Sequence, residues 1–149
     1  MYKIMLALHL VFAIFAIGPL IHATTTASRG LRTGDAGAVA TSSKSTRIYS
    51  YASFLAVIFG FGLMSSKYPW NDQTVASFSE PWIWISLILW FVAIVVALIV
   101  VVPALDSAVE KLKAGESASA LIGKVAGSGG AIALLFLATV FLMVYKPGA

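Results

Sequence analysis

The sequence predicts an all-α integral membrane protein, a four-helix bundle built from two tandem helical hairpins, and three observations carry that prediction. Hydrophobic residues make up 60% of the chain and charged ones 11%, with a mean hydropathy of +0.94; in a soluble domain charged residues approach about a quarter. The apolar residues fall in four stretches, each near the ~20 residues that one helical crossing requires. Leu31-Arg32-Thr33-Gly34-Asp35 returns as Leu112-Lys113-Ala114-Gly115-Glu116, and Pro19 and Pro103 each stand near the end of the preceding apolar stretch. One hairpin used twice explains the recurrence. The expected organisation is a single membrane domain over 1–149, with a parallel internal repeat whose copies cover about 1–66 and about 81–146.

The first span is expected over about 2–23. Lys3, an apolar run and the small residues Ala23 to Ala27 resemble a secretory signal, but the apolar core is longer than such a signal carries, so an uncleaved helix is expected. The second span covers about 48–66, and its helix should reach back to Ala36, because Gly34 and Asp35 supply a turn and an N-cap. That helix outlasts the hydrocarbon layer, so its first turns should stand in water. The third span, about 81–103, opens on Glu80-Pro81 and should continue past Pro103 as an amphipathic tail to Lys113. The fourth, about 117–145, stops before Pro147-Gly148.

Basic residues orient the chain. Arg29, Arg32, Lys44 and Arg47 lie between spans one and two, and Lys111, Lys113 and Lys124 lie at the corresponding place of the second hairpin. Only Lys3, Lys67 and Lys146 lie at the other end, so the positive-inside rule places both termini on the outer side of a bacterial plasma membrane. Two like-oriented hairpins imply a pseudo-twofold axis along the membrane normal. Aligning Leu31 with Leu112 sets Ser42, Thr46 and Ser50 against Gly123, Gly127 and Ala131, a small-residue spacing that should let spans two and four touch.

Chemistry-bearing residues are few. With no Cys there is no disulfide, iron–sulfur or thiolate metal chemistry, and the net charge of +4 beside membrane spans points to topology and anionic lipid rather than to nucleic acid. His9 within the first span is a candidate haem or copper(I) ligand, with Met5 one turn away and Met64 and Met143 at a similar depth. Its plainer alternative is a hydrogen bond to a neighbouring helix. Every Asp and Glu falls in a connection or at a helix end, which leaves Ser53, Ser86 and Thr139 as the polar groups inside the spans. No nucleophile sits beside a base, so no catalytic residue, cofactor or metal is expected. Tyr68, Pro69, Trp70 and Trp82 offer aromatic anchors for a partner or for headgroups, and Arg29, Arg32, Arg47 and Lys113 are candidates for anionic lipid such as cardiolipin.

Leu8-His9 followed by Gly18, the Leu-basic-x-Gly-acidic turn and the four-span length resemble a family of small four-helix bacterial integral membrane proteins without an assigned activity. The Ala- and Val-rich composition and the size also resemble the small accessory subunits of the actinobacterial cytochrome bcc–aa3 respiratory supercomplex. That second resemblance implies a non-catalytic subunit that docks on a larger membrane complex and stabilises it. Two alternatives stand beside it: a haem- or copper-handling protein centred on His9, and a small-solute carrier.

Overall fold

The computed structural model describes residues 1–149 as four helices: α1 Tyr2–Thr33, α2 Ala36–Met64, α3 Pro81–Lys113 and α4 Ser119–Tyr145. All four are long and apolar enough to cross a membrane. At 1.5 Å per residue they measure roughly 40–50 Å against about 30 Å of hydrocarbon, so their ends extend beyond it.

Two helices carry the same irregularity. Over Ala13–Ile17 in α1 and Val96–Val101 in α3 the backbone widens into a π-turn, and each wide turn ends just ahead of a proline, Pro19 or Pro103. A proline lacks the N–H that would close the helical bond, and its ring crowds the carbonyl four residues back. Widening the preceding turn relieves both faults without ending the helix.

Both prolonged helices also end alike. Gly34 and Gly115 adopt left-handed φ of 70° and 75°, and the following residue donates its N–H five residues back, Asp35 to Gly30 at 3.0 Å and Glu116 to Lys111 at 2.9 Å. This closure satisfies carbonyls that the helix end would leave bare. Asp35 then caps α2 at once, its carboxylate accepting from the Ala38 N–H at 3.0 Å. The second connection is longer: Ser117 and Ala118 intervene, and a 3₁₀ turn over Ser119–Leu121 precedes the α-helical part of α4.

The first helix runs ten residues beyond its expected end at 23. Thr24, Thr25 and Thr26 turn their hydroxyls back onto the carbonyls of Leu20, Ile21 and His22, so the polar run is satisfied within the helix. Lesser shifts fall elsewhere, with α2 stopping at Met64 and α4 opening at Ser119.

The helices form a ring in which each packs on its neighbours in sequence and α4 closes onto α1. The inner half of α1, Gly18–Thr33, lies on both α4 and α2, whereas its first half, Tyr2–Phe12, lies on α2. Likewise the first half of α3, Pro81–Val95, lies on α4 and its tail, Val102–Lys113, on α2. Leu20, Val39, Leu105, Val125, Ile132 and Phe136 fill the core. Toward the loop end α2 and α3 are bridged by large groups: Trp90 donates its indole N–H to Ser53 Oγ at 3.0 Å and meets the Phe54 ring edge-on at 4.8 Å.

The expected seam between spans two and four is not formed. Those helices lie across the diagonal without substantial contact; Thr46 and Ser50 are buried and Ser42 half-buried, but Gly123, Gly127 and Ala131 are exposed. The cause is the longer second connection. The interior face of α2 is Val39, Ser43, Thr46, Ser50 and Ser53, and that of α4 is Val125, Gly129, Ile132, Phe136 and Thr139, so the two faces match at a spacing of 86 residues, whereas the two turns match at 81. Five extra residues turn a helix by about 140° beyond a whole turn, which carries Gly123 and Gly127 off the interior.

Gly129 is the glycine that brings helices close, and it does so against α1. A Cβ there would collide with the Thr24 carbonyl group, 2.8 Å from its carbon. Gly129→Ala is therefore expected to destabilise the bundle by about 1–3 kcal/mol in detergent unfolding measurements, while Gly127→Ala stays within about 0.5 kcal/mol. Equal losses at the two positions would refute this assignment of the contact face.

Candidate functional site

His9 points at α2. Its Nδ1 lies 2.7 Å from the carbonyl oxygen of Ala56, which makes Nδ1 the protonated nitrogen, since a carbonyl only accepts. Glycine makes room for the ring: a Cβ on Gly60 would stand 3.2 Å from His9 Cε1 and Nδ1. Met5 uses a second notch, because a Cβ on Gly62 would come within 2.8 Å of its sulfur. Of the four residues offered as ligands, His9 and Met5 both face α2, and Met64 and Met143 lie in other surroundings. His9 is grouped with Ala56 and Gly60, Met5 with Gly62, and Met64 with Ala76, Trp82 and Ile83 in an outer apolar cluster, while Met143 is exposed.

The connection between α2 and α3 is a compact hairpin. Tyr68 N–H donates to Gln73 at 2.8 Å, Val75 N–H to Ser66 at 2.9 Å, and Lys67 pairs with Asp72 at 3.1 Å. On it the Tyr68 and Trp70 rings stack at 4.9 Å, and Tyr2 from the start of α1 leans on both at 5.5 and 5.9 Å. Lys146, just past α4, donates to the Tyr68 hydroxyl at 3.0 Å. Both ends of the chain thus hold this loop in place.

Trp70 is 69% exposed, whereas Trp82 is only 6% exposed. Trp82 is therefore not a partner contact as the sequence suggested. Its indole N–H donates to the Glu80 carboxylate, and Lys146 Nζ sits over its ring at 5.6 Å, so it acts as a pillar beneath the loop. The outward aromatics beside it are Phe78 and Trp84, joined by a Trp84 indole N–H to Phe78 carbonyl bond of 2.8 Å, with Phe61 behind Phe78 at 5.8 Å. Sequence reasoning passed over Phe78. Its only signal was its place six residues before Trp84, where a loop residue can fold back over the first turn of a helix.

At the basic end Arg29, Arg32 and Lys113 are exposed and take part in neither of the two ion pairs. Arg47 differs from them, because its guanidinium bonds to Asp106 at 2.9 Å while Ser43 donates to the other oxygen of the same carboxylate. Its charge is offset in part by this contact, which sets it apart from the three unpaired cations. From Ser43 a line of hydroxyls, Thr46, Ser50 and Ser53, runs along the interior face of α2. Thr46 and Ser50, with Ser86 on α3, find no hydrogen-bond partner in the protein. Inside a bilayer an unpartnered hydroxyl costs about 1–3 kcal/mol, so these three carry a cost that the fold tolerates.

No protein-family model, characterised protein or solved structure matches this chain. Chemically, the His9 contact fastens α1 to α2, the aromatic loop presents a fixed surface, and the Arg47–Asp106–Ser43 cluster fastens α2 to α3.

The His9 contact makes a quantitative expectation. Membrane interhelical hydrogen bonds average about 0.6 kcal/mol and reach about 1.7 kcal/mol, so His9→Ala should lower stability within that range. Gly60→Val should displace the ring and remove the same bond. In a double-mutant cycle the two losses should then be strongly non-additive; simple additivity would show that His9 acts elsewhere.

Proposed function

We propose that this protein is a non-catalytic accessory subunit of a larger membrane complex, with a respiratory supercomplex of the cytochrome bcc–aa3 type as the leading partner. The observation that carries the reading is the aromatic platform on the Lys67–Glu80 connection: Tyr68 and Trp70 stacked, braced by Tyr2 and by Lys146, with Phe78 and Trp84 alongside. Rigid, exposed aromatic groups lose little conformational freedom on docking, which is why interface hot spots favour them. A loop whose only task was to join two helices needs no such bracing.

In this reading the chain is two like-oriented hairpins with both termini on the outer face of a bacterial plasma membrane and the basic turns inside. Support for the duplication comes from three recurrences: a π-turn before each of Pro19 and Pro103, the same glycine closure at Gly34 and Gly115, and five interior positions of α2 matched in spacing by five of α4. Support for the orientation comes from the basic residues. Arg29, Arg32 and Lys113 are placed to meet anionic lipid such as cardiolipin at the inner surface.

A small-solute carrier is the second reading, favoured by the buried hydroxyl line Ser43, Thr46, Ser50 and Ser53. The haem- or copper-handling reading has less behind it. His9 Nδ1 is engaged by Ala56, and Met64 and Met143 belong to other surroundings.

Extraction of the tagged protein in mild detergent should bring down a larger respiratory assembly. Trp70→Ala should weaken that association by about 2 kcal/mol, roughly thirtyfold, without loss of the protein from the membrane. Migration as a lone monomer, with the respiratory enzymes running free of it, would overturn the proposal. Reporter fusions should place both termini outside, and a cytosolic terminus would overturn the orientation.

A further inference from the structure

Beside the Arg47–Asp106 pair a groove of about 550 Å³ opens between α2 and α3. One wall is a single stripe of α3 at helical spacing, Leu98, Val102, Asp106 and Glu110, which changes from apolar to acidic along the helix. The other wall is Arg47 and, one turn deeper, Tyr51 on antiparallel α2. Because Arg47 pairs with Asp106, the antiparallel register sets Tyr51 opposite Val102 and leaves Glu110 a full turn nearer water than Arg47. The groove therefore grades in one direction, from an apolar floor beside a phenol, through the Arg47–Asp106 pair, to the Glu110 carboxylate at the mouth.

Bonding capacity remains at each level. Arg47 has five N–H donors and commits one nitrogen to Asp106, with its side chain 52% exposed. Tyr51 is 61% exposed, and its hydroxyl is engaged by no other residue. Glu110 belongs to neither ion pair. Asp106, by contrast, is already taken up by Arg47 and Ser43.

We propose that this groove is a binding site for phosphatidylethanolamine, with the lipid phosphate on Arg47 and Tyr51, the primary ammonium on Glu110 and an acyl chain along Leu98 and Val102. The order of groups is that of the lipid standing in its leaflet, where the tails lie deepest and the ammonium lies on the water side of the phosphate. Charge selects the headgroup. Cardiolipin would bring a second phosphate against the Glu110 carboxylate, phosphatidylglycerol offers it a neutral hydroxyl in place of a cation, and a choline head has no N–H to give it. A free phosphoethanolamine would leave the apolar floor of the groove uncovered. The proposal concerns the groove alone and holds whether or not the protein is an accessory subunit.

Native mass spectrometry of the full chain, supplied with equimolar phosphatidylethanolamine, phosphatidylcholine and phosphatidylglycerol of matched acyl chains, tests it. The expected result is about tenfold preferential retention of phosphatidylethanolamine, equivalent to about 1.4 kcal/mol. Glu110→Gln should reduce that preference to within about twofold while total phospholipid retention persists, because the phosphate contacts remain. Tyr51→Phe should weaken retention of every phospholipid without restoring choline to parity. Both replacements keep side-chain shape and leave the Arg47–Asp106 pair untouched, and circular dichroism confirms the fold of each. Equal retention of the three lipids, preference for phosphatidylglycerol, or a Glu110→Gln preference like that of the parent overturns the proposal.

Discussion

Within a bilayer, apolar side chains gain nothing by leaving lipid for one another, so this bundle depends on close backbone approach and on a few hydrogen bonds between helices. Each pair of neighbours has its own device. On α1 and α4 the Gly129 backbone comes up against the Thr24 carbonyl. On α1 and α2 His9 and Met5 enter the Gly60 and Gly62 notches, and Gly30 admits Val39, whose Cγ2 would stand 3.0 Å from a Cβ at residue 30. On α2 and α3 the Ser43–Asp106–Arg47 cluster and the Trp90–Ser53 bond act at two depths. Only α3 and α4 meet mainly through apolar bulk, under the Trp82 cluster.

The two prolines set where these devices fall. A helix that widens by one residue rotates everything after it relative to everything before, so the π-turns divide α1 and α3 into halves with different partners. Before its wide turn α1 faces α2; after it, α1 faces α4 as well. The same change separates the α4-facing and α2-facing halves of α3.

Much of this was legible in the sequence because bilayers leave few choices. Four apolar stretches, Pro81 at a helix start, Asp35 as a cap and Gly34 as a stop each announce a backbone requirement that only certain residues meet, and each stands where the structure needs it. What sequence reasoning missed depended on phase. The Leu31 and Leu112 turns match, but five residues after the second shift the rotation of α4, and no local signal in Ser117 to Leu121 states that they form an extra turn. The hydroxyl line of α2 was missed for a like reason. Thr46 and Ser50 read as small packing residues, and their orientation toward the interior is a property of the ring rather than of α2 alone. Trp82 and Trp84 illustrate the same point, since two residues of one type, two apart, fall on opposite sides of a helix, and only packing decides which is buried.

The shift of 86 also accounts for a difference between the proposed copies. It sets Ser43 with Gly129, Thr46 with Ile132, Ser50 with Phe136 and Ser53 with Thr139, so the two middle hydroxyl residues of α2 stand at the positions where α4 carries its largest interior side chains. In the proposed duplication, a pseudo-twofold axis through the bundle centre would account for this. Identical copies would place each interior residue across from itself: two Phe136 equivalents would overfill the centre, and two Ser50 equivalents would leave it hollow, both of which a close-packed interior penalises. Complementary divergence, large on one helix and small on its diagonal counterpart, is the arrangement that fills the space. On this argument the unpartnered hydroxyls of Thr46 and Ser50 follow from volume. Each is a small residue retained opposite a large one, and its polar atom is a cost carried by the fit.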